Sequence, residues 1–144
     1  MKLLLVDDHE MVRLGLKSYL SMQEGIDQVL EASDGQEGVE LALQERPDVI
    51  IMDIVMPHMS GIEATLAILK EWPDAKILIL TSYLDNEKIY PVLDAGAKGY
   101  MLKTSSAEEI LRAIYKVEQG ELAIETEVSQ KVEYRKNHVE LHDD

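Results

Sequence analysis

The sequence contains no cysteine. That excludes disulfides, thiolate metal sites and a cysteine nucleophile, and it fits a reducing compartment. Long apolar runs are missing too. The N-terminal run in MKLLLVDDHE breaks into acids straight after LLLV, too short for a signal peptide or a membrane span. The other apolar runs are also too short to cross a bilayer, so the expectation is a soluble, cytoplasmic chain with no membrane partner. Basic charge is scarce: 14 Lys and Arg stand against 28 Asp and Glu, a formal net charge of −14. Such a balance repels nucleic acid. The bland reading of the acid excess is solubility; the sharper one is that some of the acids converge on a cation.

What is present points to a packed globule. The chain has 144 residues, of which 46% are hydrophobic, enough for one domain with a real core and a short tail. Short apolar runs at 2–6, 28–32, 49–54, 76–80 and 99–102 read as buried strands. Between and after them lie helical patterns at 10–22, from Ser33 or Asp34 to about 46, from Ser60 to about 72, at 86–95, and from Ser105 or Ser106 to about 119. Pro91 falls inside the fourth helix, where it removes a hydrogen bond and bends or shortens the element. Gly120 suits the residue just past the last helix.

A strand and a helix repeated five times predicts an α/β fold with a parallel sheet covered on both faces. Right-handed crossovers then favour an open, doubly wound five-stranded sheet. Ligands of such sheets sit beyond the carboxyl ends of the strands. After Gly120 the chain turns polar and charged. Residues 121–144 read as a linker or tail, with a short helix through Val128 and Val132 as the alternative.

The residues that follow the strands carry the chemistry. The first strand ends in Asp7-Asp8, the third at Asp53, the fourth in Thr81-Ser82 and the fifth at Lys103. In a parallel sheet these groups share one edge. Three carboxylates so close cannot all stay ionised without a counter-charge. A hard divalent ion such as Mg²⁺, taking carboxylate, water and phosphate oxygens, answers that need. Lys103 adds a point charge for a phosphate, and Thr81 a hydroxyl donor. Asp53, in the stretch VIIMDIVMP, is the natural nucleophile for an aspartyl-phosphate. Each residue also has a plain alternative. Asp7-Asp8 could cap a helix, Asp53 could be a loop acid, Thr81-Ser82 could be a turn and Lys103 a surface lysine.

With LLLVDDHEMVR, PDVIIMDIVMPHMSGIE, ILILTSY and GAKGYMLK in hand, residues 1–120 resemble the receiver domain of two-component response regulators. Pro57 and Gly61 follow Asp53 at the family's spacing D-x-x-M-P-x-x-x-G. The resemblance implies a flavodoxin-like (βα)5 receiver with strand order 2-1-3-4-5. It implies Asp53 as phosphoacceptor, with a sensor histidine kinase as the donor. Asp8, Asp53 and the backbone carbonyl of Val55 would ligate Mg²⁺, and Asp7 would act through water. Thr81, Ser82 and Lys103 would meet the phosphoryl group, and Tyr100 would be the aromatic switch residue that turns inward. Val55 and Tyr83 would flank the hydrolytic water; neither is an acid or amide, so a long-lived phosphoprotein is expected.

DDHEMVR, and Thr104 where many receivers have proline, resemble the NarL/LuxR type, in particular the cell-envelope-stress regulators of Gram-positive bacteria (the LiaR/VraR kind). Such regulators continue into a helix-turn-helix domain. It is absent from this chain, so DNA binding is expected only of a longer parent protein. Receivers commonly dimerise on phosphorylation. Met11, Leu14 and Gly15 on the first helix, with Leu111 and Tyr115 on the last, form a candidate homodimer face. Pro91 and the lack of phenylalanine are unusual for the family.

Three other readings are weaker. A haloacid-dehalogenase-type phosphohydrolase needs a second acid two residues after its nucleophile, where Asp7 is followed by His9. A nucleotide-binding module needs a Gly-rich loop after the first strand, and none is there. A stand-alone or phosphorylation-independent interaction module is the remaining alternative. His9 could join a metal site, but a polar residue at a helix start is usually solvated and is not counted.

Overall fold

The computed structural model describes residues 1–82 and 86–124, with backbone alone for 86–89. Strands and helices alternate in the order β1 (Lys2–Val6), α1 (Glu10–Ser21), β2 (Gln28–Ala32), α2 (Gly35–Glu45), β3 (Val49–Met52), α3 (Gly61–Glu71), β4 (Ile77–Thr81), α4 (Asn86–Asp94), β5 (Gly99–Leu102), α5 (Ala107–Glu118) and β6 (Ala123–Ile124). All strand pairs are parallel, in the order β2-β1-β3-β4-β5-β6.

The strands are apolar throughout because both faces are buried. Side chains alternate across the sheet. Leu4, Val6, Ile50, Met52, Ile77 and Ile79 point to one core, which α2, α3 and α4 close with Ala42, Ala64, Ile68 and Val92. Leu3, Leu5, Val49, Ile51, Leu78 and Leu80 point to the other, which α1 and α5 close with Leu20, Ile110, Ala113, Ile114 and Val117. Strand register and helix caps then place the loops. Asp34 caps α2 by accepting from the Glu37 N–H, and Ser60 does the same for α3 with Glu63. Ser106, rather than Ser105, caps α5 in a reciprocal box with Glu109.

Three boundaries differ from the sequence expectation. β3 stops at Met52, and the chain leaves the sheet at Asp53 instead of 54. The Gly61 N–H, 2.7 Å from the Ile54 carbonyl, draws the following loop back toward α3. α4 runs through Pro91 and ends at Asp94. The sheet has a sixth strand: Gly120, at φ 89°, turns the chain after α5 so that Ala123 and Ile124 pair with Gly99 and Tyr100. The expected five strands keep their order, but the folded domain runs four residues past the boundary expected at Gly120. A two-residue strand has no period to read, so the short apolar run Leu122–Ile124 passed as part of the charged tail. The alternative helix through Val128 and Val132 lies outside the described residues. Among the described residues no helix is long and apolar enough to cross a membrane.

Candidate functional site

Parallel pairing brings the carboxyl ends of β1, β3, β4 and β5 to one edge. The Asp53 N–H still bonds the Val6 carbonyl at 3.0 Å, and the Asp7 N–H bonds the Ala32 carbonyl at 3.1 Å. Each carboxylate is thus held one residue past its strand. The Lys103 N–H donates to the Thr81 carbonyl at 2.7 Å, fixing the stem of Lys103 beside β4.

Lys103 reaches back across the sheet end. Its Nζ lies 2.7 Å from Asp7 Oδ2 and 3.1 Å from Asp53 Oδ2. Asp7 and Asp53 are 2% and 3% exposed, so two carboxylates share one ammonium out of contact with water. Burial, followed by the charge of Asp7, raises the Asp53 pKa above its ordinary value; Lys103 opposes the rise. Burial lowers the Lys103 pKa, but the hydrogen bond to Asp7 and the charge of Asp53 outweigh it and leave Lys103 raised. The pair of acids is under-neutralised, and the ammonium is locked in its charged form.

Asp8 stands at the mouth of the site, its side chain 29% exposed. Asp7, Asp8, His9 and Asp53 each offer a ligand atom, and the four atoms lie within 4.8 Å of one another. An oxygen-rich donor set of this kind, with a shortfall of positive charge, fits a hard divalent cation. Thr81 is buried at the end of β4, and Ser82 is exposed just beyond it. Tyr100 is fully buried in the core shared with α3 and α4, so in this structure the aromatic already faces inward. Val55 is 46% exposed on the loop after Asp53. That loop depends on Gly61: a Cβ there would stand 1.9 Å from the Asp53 carbonyl oxygen. Tyr83 lies outside the described residues.

The expected dimer face is split. Met11 is 81% and Leu14 47% exposed, and Gly15 faces open space. On α5, Leu111 packs partly against the core, and the Tyr115 hydroxyl donates to the Glu24 carbonyl at 2.7 Å. α1 therefore presents more free apolar surface than α5.

One residue set aside in the sequence reading, His9, and one given no role there, Arg13, belong to the site. His9 turns its ring into the acid cluster. Arg13 backs the site from α1: its guanidinium donates to the Asp7 carbonyl at 2.7 Å and to Glu31 at 3.4 Å. The hydrogen bond from Lys17 holds Glu31 below the usual carboxylate range, and Arg13 adds to it. The signal for Arg13 was helical spacing: one turn into α1, it returns to the strand end from which the helix starts.

Residues 3–115 match the family model of the response regulator receiver domain. The chain belongs to the response regulator receiver family. This receiver is 53% identical over 137 residues to the transcriptional regulatory protein LiaR of Bacillus subtilis (strain 168), covering 95% of this chain and 65% of LiaR. It is 46% identical over 143 residues to the response regulator protein VraR of Staphylococcus aureus (strain Mu3 / ATCC 700698), covering 99% of this chain and 68% of VraR. The receiver thus spans about two thirds of the length of these curated relatives. A LuxR-family two-component response regulator from Aurantimonas sp. SI85-9A1 superposes with a TM-score of 0.87 at 32% identity, covering 94% of this chain and 96% of that one. The fold is the flavodoxin-like receiver fold, and this receiver is similar to the receivers of LiaR and VraR.

Proposed function

We propose that this receiver accepts a phosphoryl group on Asp53 from a sensor histidine kinase, in a site that holds Mg²⁺. It acts in the cytoplasm and passes the change to a DNA-binding output domain in a longer parent protein, which regulates transcription. The observation that carries the reading is the pair of buried carboxylates, Asp7 and Asp53, sharing the Lys103 ammonium at the sheet's carboxyl end. No external substrate is turned over; the domain takes part in its own phosphorylation and dephosphorylation.

In the transfer, an Asp53 carboxylate oxygen bonds to phosphorus while the bond from phosphorus to the donor's histidine nitrogen breaks, and that nitrogen keeps the electron pair. Asp8, Asp53 and the Val55 carbonyl would hold the cation directly, and Asp7 through water. When bound, the cation supplies positive charge to the transferring group. Lys103 exchanges its contact with Asp53 Oδ2 for a phosphoryl oxygen while keeping Asp7. Thr81, with Ser82 beside it, donates a hydroxyl to the phosphoryl group. Tyr100, already inward, fills the space that opens as Thr81 moves. This biases a two-state arrangement of the adjoining loop and α4.

Val55 and Tyr83 offer no acid or amide to place the hydrolytic water, so the phosphorylated chain is expected to last well beyond seconds. Phosphorylation promotes a homodimer through Met11, Leu14 and Gly15, with Leu111 and Tyr115 at its margin. Met11→Ala should weaken association measured by light scattering; unchanged association would remove this face from the account.

The test is intact mass after incubation with Mg²⁺ and a small-molecule phosphodonor, wild type beside Asp53→Asn. One phosphoryl adduct on wild type alone is expected. An adduct on both moves the nucleophile to Asp8 or Asp7. No adduct on either, with the cognate kinase also failing, leaves a phosphorylation-independent interaction module.

A further inference from the structure

Glu31 stands where the core pattern calls for an apolar residue. It pairs in register with Leu5, so it shares the face of the sheet that α1 and α5 cover. Val29, two residues earlier on the same face, is buried in that core. Glu31 instead keeps a carboxylate there, with its side chain 26% exposed. A half-buried charge of this kind needs partners to offset the water it has lost. Both partners come from α1. Arg13 Nε stands 3.4 Å from Oε1, and Lys17 Nζ stands 3.0 Å from Oε2.

The two partners differ in what lies behind them. Lys17 is 43% exposed and makes a surface pair. Arg13 is 16% exposed, and its Nη1 continues inward to the Asp7 carbonyl at 2.7 Å. A guanidinium is a rigid planar fork, so holding Nε fixes the direction in which Nη1 points. The Asp7 N–H is bonded to the carbonyl of Ala32, the residue after Glu31. The end of β2 therefore grips Asp7 twice. Ala32 takes its N–H directly, and Glu31 reaches its carbonyl through Arg13. That carbonyl lies in the peptide plane that also carries the Asp8 N–H. Holding the plane sets how both carboxylates leave the backbone.

We propose that Glu31 is a positioning residue of the cation site: it aims Arg13 at the Asp7 carbonyl and so holds the peptide between Asp7 and Asp8 in place for the ion. The proposal rests on the cation site of the proposed function. It gives β2, which supplies no ligand, a part in setting the affinity of that site.

The experiment is calorimetric titration of the whole chain with Mg²⁺ in wild type, Glu31→Leu, Arg13→Gln, the double variant, Glu31→Gln, Lys17→Met and Asp8→Asn. Leucine suits this face of β2, so Glu31→Leu removes the carboxylate and keeps the packing; if it does not fold, Glu31→Ser takes its place. Glu31→Leu should weaken Mg²⁺ about fivefold, somewhat less than Arg13→Gln, which loses the contact itself. The double variant should bind like Arg13→Gln alone, because the effect of Glu31 passes through Arg13. Glu31→Gln keeps an oxygen for the Arg13 Nε–H and should bind within about twofold of wild type. Lys17→Met breaks only the surface pair and should also stay within about twofold. Without metal, the Asp8 amide resonance should move in Glu31→Leu and Arg13→Gln and keep its place in Lys17→Met. Wild-type affinity in Glu31→Leu, losses that multiply in the double variant, an equal loss in Lys17→Met, or an unmoved Asp8 resonance in Glu31→Leu would overturn the proposal. Asp8→Asn separates the two readings. If it leaves Mg²⁺ binding unchanged, the cation site itself is misplaced; if it weakens binding and Glu31→Leu does not, the role of Glu31 alone falls.

Discussion

The two ends of one sheet treat charge in opposite ways. At the amino ends, charges are settled at the surface among near neighbours. The Met1 ammonium meets Asp27 at 2.8 Å, the Lys2 N–H meets Asp48 at 2.6 Å, and Lys76 Nζ donates to the Glu118 carbonyl at 2.6 Å. Asp27 keeps 85% of its side chain in water. At the carboxyl ends, Asp7 and Asp53 are withdrawn from water and share a single ammonium, with Asp8 close by. Buried acids that need more positive charge than the chain supplies are a cost to the fold. The amino end is built for stability; the carboxyl end keeps a deficit of positive charge of the kind a divalent cation fills.

The strongest way to break this contrast is Asp53→Asn. It should abolish the phosphoryl adduct in intact mass and raise metal-free stability. The sign follows from the raised pKa of Asp53. The folded chain binds that proton more tightly than the unfolded chain, so the ionised group lowers stability as pH rises from the unfolded pKa through the folded one. Asp53→Asn should flatten that part of the pH profile of the denaturant midpoint.

Lys103→Met removes the shared ammonium and leaves both carboxylates buried. Metal-free stability should fall by about 3 kcal/mol in urea unfolding, with part of the loss restored by Mg²⁺. An unchanged midpoint would mean the two acids are not under-neutralised. Gly61→Ala places a Cβ against the Asp53 carbonyl. It should cost about 2 kcal/mol and weaken Mg²⁺ binding, because the backbone of the loop must retreat. Arg13→Gln loses the bond to the Asp7 carbonyl and should weaken Mg²⁺ about tenfold by calorimetry with little change in fold. Lys2→Ala, at the amino end, breaks only the 3.8 Å surface pair with Glu45. It should change stability by less than about 0.5 kcal/mol and leave Mg²⁺ affinity alone.

The same contrast explains what was legible in the sequence. Strands buried on both faces read as continuous apolar runs, and the acids and the lysine that end them stand out because they interrupt those runs. Asp7, Asp53, Thr81 and Lys103 were visible for that reason. Asp34 and Ser106 were among the expected caps because short polar side chains before a helix have a specific backbone task. His9 was legible as a neighbour of the acids but not as one that faces them. A polar residue before a helix has two directions to face, and only its backbone geometry decides between solvent and the acids. Arg13 was hidden because its partner is a backbone carbonyl, which leaves no mark in a sequence. β6 was hidden because two residues carry no period. The inward Tyr100 was legible as a position but not as a state.

The most direct test of the charge deficit is the thermal midpoint of wild type and Asp53→Asn as Mg²⁺ is added. In the absence of metal, Asp53→Asn should be the more stable chain. As Mg²⁺ rises past its dissociation constant, wild type should gain about 1.4 kcal/mol for each tenfold increase, and Asp53→Asn should begin to gain only at higher concentration. Equal responses to Mg²⁺ in the two chains, with wild type the more stable before any metal is added, would contradict the account.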